Sequence, residues 1–217
     1  MEINEHYAQF NEEYEQFLNT QKNVPRLPHR IEFLIRSFTE IYFPLGLRPG
    51  SNILDIGCGL GELCYYLQRF GLINCQGLDI NLAALNFGHI TFPDLSFYNA
   101  LTEQLPFRNS SFDTVISRDV FEHFPTIETA EVALLETDRV CKGDTMLHII
   151  TVLEDIEFIH QDPTHTIKKS ACWWKEWFKD HGWITIAPLE RLYFSRYRLR
   201  LIQKKLHGFY LLKRVTS

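Results

Sequence analysis

A chain of 217 residues with 45% hydrophobic side chains favours one domain with a substantial core; its 22 basic against 27 acidic side chains leave a formal charge of −5, which excludes a whole-protein electrostatic grip on nucleic acid or on an anionic membrane. The five cysteines, Cys58, Cys64, Cys75, Cys141 and Cys172, are odd in number and show no CxxC spacing, which excludes a disulfide framework and a thiolate zinc site. No apolar run approaches the roughly 20 residues that span a bilayer, and the start MEINEHYAQFNEEYEQ lacks the cationic and apolar regions of a secretory signal, so a cytoplasmic protein without a membrane span is expected.

Residues 1–48 read as a helical leader. Tyr7, Phe10, Tyr14, Phe17 and Leu18 recur at helical spacing, and Ile31, Leu34, Ile35, Phe38, Ile41 and Tyr42 do so again. Both predicted helices pack on the body, and the leading tyrosines are candidates to roof a pocket, so residues before about Asn23 are expected to form a lid that ligand orders. The turn Leu47-Arg48-Pro49-Gly50 opens the core, residues 49–217 of what is expected to be a single domain, 1–217. From Asn52 short β-rich runs alternate with helical stretches, the pattern of a wound α/β sheet. Predicted strands cover 52–56, 75–79, 95–98, 112–117 and 145–152, with predicted helices at 61–70, 82–87 and 127–140. A polar loop, a helix at 171–181 and strand-like segments at 183–194 and 206–214 follow, and the short link between the last two predicts an antiparallel ending. The stretch from Arg191 to Arg214 is also a local basic patch.

The strongest local signal is Ile53-Leu54-Asp55-Ile56-Gly57-Cys58-Gly59-Leu60-Gly61-Glu62, an apolar strand running into a glycine-rich turn and a helix. Glycines at alternate positions let the backbone approach a ligand, and a helix start presents unpaired N–H groups. The dinucleotide pattern GxGxxG needs a third glycine where Glu62 stands, and a carboxylate there would face the pyrophosphate. No Gly-Lys-Ser/Thr follows either, so a phosphate-free adenosine ligand is the better fit. Asp79, ending the second predicted strand in Gly77-Leu78-Asp79-Ile80-Asn81, is placed to accept hydrogen bonds from both ribose hydroxyls. Cys58 reads as a small residue filling the turn.

These segments resemble the class I S-adenosylmethionine-dependent methyltransferases of the type 11 kind. The first motif of that family is similar to Leu54 to Gly61 and its second-strand acid to Asp79; Leu105-Pro106-Phe107 with Ser111-Phe112-Asp113-Thr114-Val115 resembles its LPF…SFDxV segment, Glu122-His123 its EH pair, and Gly182-Trp183 its Gly-aromatic pair. The resemblance implies a Rossmann-like seven-stranded sheet, mostly parallel with an antiparallel C-terminal strand, under an N-terminal helical lid, and S-adenosyl-L-methionine as cofactor. It implies that Asp55, Gly57, Cys58, Gly59 and Gly61 surround the methionine end and that Asp79 and Ile80 border the ribose. The family commonly places an acid near the end of the third strand to read the adenine amine. Here Asn99, Ala100 and Leu101 stand instead, so Asn99 or the backbone takes that task. Arg118 neutralises the methionine carboxylate, floors the pocket, or pairs with a nearby acid.

Methyl transfer from a sulfonium needs an in-line nucleophile, a dry pocket and often a base. Candidate groups follow the fourth and fifth predicted strands, in Arg118-Asp119-Val120-Phe121-Glu122-His123 and His160-Gln161-Asp162-Pro163-Thr164-His165. If Asp119 begins a helical turn, Glu122 and His123 share its face, and His165 completes a set of four. That set resembles the ExxEH-plus-histidine metal site of small RNA 2′-O-methyltransferases and ubiquinone-pathway O-methyltransferases, with Asp119 in place of a glutamate, which makes a divalent metal one expectation. The other is His123 or His165 as a metal-free catalytic base, whose rate rises around the ordinary histidine value of about 6.5. In Trp173, Trp174, Trp177 and Phe178 the spacing packs a helix on the sheet, and the adjacent tryptophans cannot both face inward. The expected activity is methyl transfer to a small-molecule acceptor, foremost O-methylation of a hydroxyl on a sugar or secondary metabolite. Transfer to nitrogen or to an RNA end is the alternative, and a catalytically inactive S-adenosylmethionine-binding partner protein is the alternative of another class.

Overall fold

The computed structural model describes residues 5, 7, 8, 12, 43–69, 73–160, 162–187, 191–194 and 201–215, with 43, 73, 157, 158, 191–194 and 201–206 described by backbone alone. The two predicted leader helices therefore lie almost wholly outside the described residues, although Glu5, Tyr7, Ala8 and Glu12 are helical. Among the described residues no helix is long and apolar enough to cross a membrane.

Strands β1 (Ser51–Ile56), β2 (Ile73–Asp79), β3 (Ser96–Asn99), β4 (Thr114–Arg118), β5 (Thr145–Ile149), β6 (Trp183–Thr185) and β9 (Phe209–Arg214) form a seven-stranded sheet in the order β3-β2-β1-β4-β5-β9-β6. All pairs from β3 to β5 are parallel. Strand β9 is antiparallel to both β5 and β6, so it alone runs against the rest. Alternation along each strand sends side chains to opposite faces. Leu54 and Ile56 of β1, with Tyr210 and Leu212 of β9, join one core; Ile53 of β1, with Phe209 and Leu211 of β9, joins the other.

Helices cover both faces, and three of them are started by side-chain caps. In α1 (Glu62–Arg69) Glu62 occupies the first turn, where the partial positive charge favours a carboxylate. Helix α2 (Leu82–Thr91) is capped by Asn81, whose side chain accepts from the Ala84 N–H at 2.7 Å; α3 (Ile127–Val140) by Thr126; and α4 (Ala171–Asp180) by Ser170. Each such cap contributes about 1 kcal/mol.

The predicted strands 112–117 and 145–152 become Thr114–Arg118 and Thr145–Ile149, and three further elements change. The second helix runs to Thr91 rather than stopping at residue 87, because Gly88 sits inside it: an added Cβ there would lie 2.9 Å from the Leu60 carbonyl, so glycine permits close packing on the loop. The predicted strand 183–194 is divided between β6 and β7 (Arg191–Phe194), and β7 pairs with β8 (Leu201–Leu206) in a separate two-stranded sheet. Strand β9 starts after Gly208, whose φ of +79° and close approach to Ile150, 1.9 Å from an added Cβ, let the Ile150 N–H donate to the Gly208 carbonyl at 2.9 Å.

Candidate active site

The glycine turn between β1 and α1 holds its shape by backbone geometry. Gly57 has φ +69°, and a Cβ there would come within 2.3 Å of Val120 Cγ2. The Gly57 and Cys58 N–H groups both donate to the Leu78 carbonyl, at 2.8 and 3.0 Å, which ties the turn to β2. From β2, Asp79 closes the turn: its Oδ2 accepts from the Gly59 N–H at 2.8 Å and its Oδ1 from the Asn81 N–H at 2.8 Å. Burial raises the Asp79 carboxyl above the ordinary aspartate range, against the pull of these N–H groups. Asp55 is buried beneath the turn, and burial pushes it up to about 7 despite the opposing charge of Arg118; the Cys64 thiol donates to it at 3.7 Å. Asn99 spends its amide on the Asp79 and Ile80 carbonyls, at 3.0 and 2.9 Å, while the Ala100 N–H donates to Asp79 at 3.3 Å, so these residues brace the end of β2. The Cys58 thiol is raised by burial and faces Gly77, in keeping with a filler of the turn.

A cavity of about 340 Å³ opens over this turn. Gly57, Leu78, Asp79 and Ile80 line it from the ends of β1 and β2, Thr102 and Glu103 from the turn after β3, and Arg118, Asp119, Val120, His123 and Phe124 from the end of β4 and the loop beyond. Asp162 and Tyr7 complete the lining. Tyr7 donates to Glu103 Oε1 at 2.5 Å, so one of the leading tyrosines borders the pocket; the rest of the expected lid lies outside the described residues. Of the sequence-nominated residues, Asp55, Cys58, Gly59, Gly61, Asn99, Ala100, Leu101, Glu122 and His165 do not line the cavity. Thr102 and Glu103 were missed, although they follow the carboxyl end of β3, where wound sheets place ligands. Trp173 does not border the cavity. It stacks on Trp177 at 6.3 Å while Trp174 is fully buried.

The turn Phe121–His123 is a 3₁₀ turn anchored by Phe121, whose ring lies 6.1 Å from Trp174 and 6.0 Å from Phe178 of α4. Such edge contacts add about 0.5–1.5 kcal/mol each beyond area burial. They present Glu122 and His123 toward the loop that carries His165, and the two imidazole centroids are 4.6 Å apart. The expected helical turn starting at Asp119 does not form. Asp119 has φ +54°, outside the helix, and its Oδ1 accepts from the Thr151 hydroxyl at 3.4 Å. Asp119 is therefore absent from the cluster that could hold a cation, which comprises Glu122, His123 and His165 with one ligand atom each within 4.8 Å of the others. Burial and the neighbouring charge of Asp119 raise the Glu122 carboxyl strongly. Its Oε1 accepts from the Thr151 N–H at 2.7 Å, while its Oε2 is buried without a hydrogen-bond partner among the described residues.

A raised carboxyl favours the folded state fully below its unfolded value, near 4.5, and loses that contribution as pH rises through the folded value. Glu122→Gln keeps the Thr151 bond and cannot ionise. Thermal unfolding followed from about pH 5 to about pH 9 is expected to show a smaller decline in the variant than in the wild type, and equal declines would contradict the assignment.

Residues 54–149 match the family described as "Methyltransferase domain". Over that stretch the chain is similar to the class I S-adenosylmethionine-dependent methyltransferases. A ubiquinone biosynthesis O-methyltransferase of Bartonella quintana is 29% identical over 140 residues, 61% of this chain and 53% of that protein. A probable tRNA methyltransferase 9B of Bos taurus is 32% identical over 128 residues, 58% of this chain and 27% of that protein. The chain thus spans about half or less of the length of these relatives. In fold it is similar to the 1,6-didemethyltoxoflavin-N1-methyltransferase of Burkholderia thailandensis, with TM-score 0.67 and 13% identity over 100% of this chain and 92% of that one. The residues fit S-adenosylmethionine, the cofactor that the resemblance implies: the cavity reaches both Gly57 and Asp79, and Glu62 opens α1 where a pyrophosphate would need glycine.

Proposed function

We propose that this protein is an S-adenosylmethionine-dependent methyltransferase that modifies a hydroxyl of a small-molecule acceptor, such as a sugar or secondary metabolite, with residues 49–217 as the core and the leader, 1–48, as a lid. The observation that supports it is one cavity lined by both Gly57 and Asp79 and by His123. S-adenosylmethionine, when bound, supplies a methyl group on a positively charged sulfur that a nucleophile displaces in line. Gly57 and the glycine turn leave room for the methionine end, and Asp79 has a second lone pair on each oxygen for the ribose hydroxyls. His123 takes the proton of the acceptor hydroxyl. Burial and the adjacent His165 pull its imidazole down to about 4, against Asp162 and Asp119, so it stands neutral at physiological pH. A hydroxyl gains from such a base, whereas a neutral amine already offers its lone pair, which supports oxygen over nitrogen. His165 does not line the cavity, and its contribution is to hold His123 neutral.

The test is incubation of the protein and S-adenosylmethionine with a panel of hydroxyl and amine acceptors, read by mass spectrometry as gain of one CH2. Products among hydroxyl acceptors support the reading, and products confined to amines overturn it. For the lid, S-adenosylhomocysteine is expected to slow proteolytic cleavage within residues 1–23. Equal cleavage rates with and without it would make the leader a fixed part of the fold.

A further inference from the structure

We propose that Thr164 and Asp162 are positioning residues that fix His123 in the tautomer protonated at Nδ1, so that its Nε2 is the proton acceptor. The inference rests on the proposed role of His123 and assigns two residues that this role does not itself require.

Two Thr164 atoms set the protonation of Nδ1. Thr164 Oγ1 lies 2.9 Å from it and the Thr164 carbonyl 3.3 Å. A carbonyl only accepts. The hydroxyl has a single proton, and that proton is committed elsewhere, because Thr164 Oγ1 donates to Asp162 Oδ1 at 2.5 Å, a charge-assisted bond. The same Oδ1 takes the Thr164 N–H at 2.8 Å, which locks the turn and with it the direction of the hydroxyl. Both Thr164 atoms that face Nδ1 are therefore acceptors, and the ring proton sits between them. A chain runs from imidazole N–H to hydroxyl to carboxylate, with Asp162 and His123 both on the cavity wall. Asp162 suits the end of this chain: burial, which would raise its carboxyl, is outweighed by the Thr164 bonds and the two imidazoles, so it stays below the ordinary range and ionised. His165 follows the same logic, its Nδ1 facing the Ile159 carbonyl at 3.2 Å.

The experiment is long-range proton–nitrogen NMR of the ring nitrogens in the full chain, labelled at histidine, near neutral pH and without acceptor. The His123 signals, assigned by their loss in His123→Gln, are expected to show a protonated Nδ1 and an unprotonated Nε2. Thr164→Val, which removes the hydroxyl, is expected to shift both nitrogens toward a mixture of tautomers, and Thr164→Ser to restore the wild-type pattern. Asp162→Ala frees the Thr164 proton to point at Nδ1 and is expected to increase the Nε2-protonated form. A wild-type ring protonated at Nε2, or a pattern unchanged in both Thr164→Val and Asp162→Ala, overturns the proposal. The readout needs no substrate, so it is separate from the base assignment: if His123→Gln keeps full turnover while the tautomer pattern holds, the proposed function fails and the positioning stands.

Discussion

Asp79→Ala is expected to weaken S-adenosylhomocysteine binding by about 2–4 kcal/mol, roughly 30- to 700-fold, since hydrogen bonds to charged groups are worth about 1.5–3 kcal/mol each and add imperfectly. Two losses combine in that figure. The ribose loses its acceptor, and the glycine turn loses the Gly59 bond that Asp79 makes across it. Asp79→Asn keeps one carbonyl oxygen and should fall between. Calorimetry on folded variants checks the series, and an unchanged affinity in Asp79→Ala would remove Asp79 from the site.

His123→Ala is expected to lower turnover on the true acceptor by about 10²–10⁴ while cofactor affinity is kept, the range attributable to a positioned base. The pH profile separates this histidine from an ordinary one. An imidazole at the usual value of about 6.5 gives a rate that rises through that pH. With burial and His165 pulling His123 down to about 4, only its neutral form is present across the neutral range, and the wild-type rate should be flat there. A rising limb centred near 6.5 would show that His123 is solvated in the working enzyme or that another group is the base.

The glycine turn and Asp79 were legible because they obey local rules: turn geometry, backbone approach and the position of an acid at a strand end all follow from a few adjacent residues. The near contact of His123 and His165 was also foreseeable, since both follow strands whose carboxyl ends meet on one side of the sheet. What local rules missed was set by tertiary contacts. The helical-turn assumption put Asp119 on the ligand face shared by Glu122 and His123, but the left-handed backbone at Asp119 turns its carboxylate to the Thr151 hydroxyl, near Glu122 but outside the cluster with His123 and His165. Gly88 looks like a helix stop in sequence and is instead the point where α2 touches the Leu60 carbonyl. The strand-like reading of 183–194 did not tell which sheet each part joins, because pairing is decided by register and not by pattern. Likewise the depressed imidazole of His123 depends on burial by residues distant in sequence.

The measurement that bears most directly on the central claim is calorimetric titration of the wild-type chain with S-adenosylhomocysteine and, separately, with NAD. Saturable one-to-one binding of S-adenosylhomocysteine with no heat from NAD is the expected result, because the cavity offers Gly57 and the Asp79 carboxylate while Glu62 opens α1 where a pyrophosphate would lie. Binding of NAD together with no response to S-adenosylhomocysteine would contradict it.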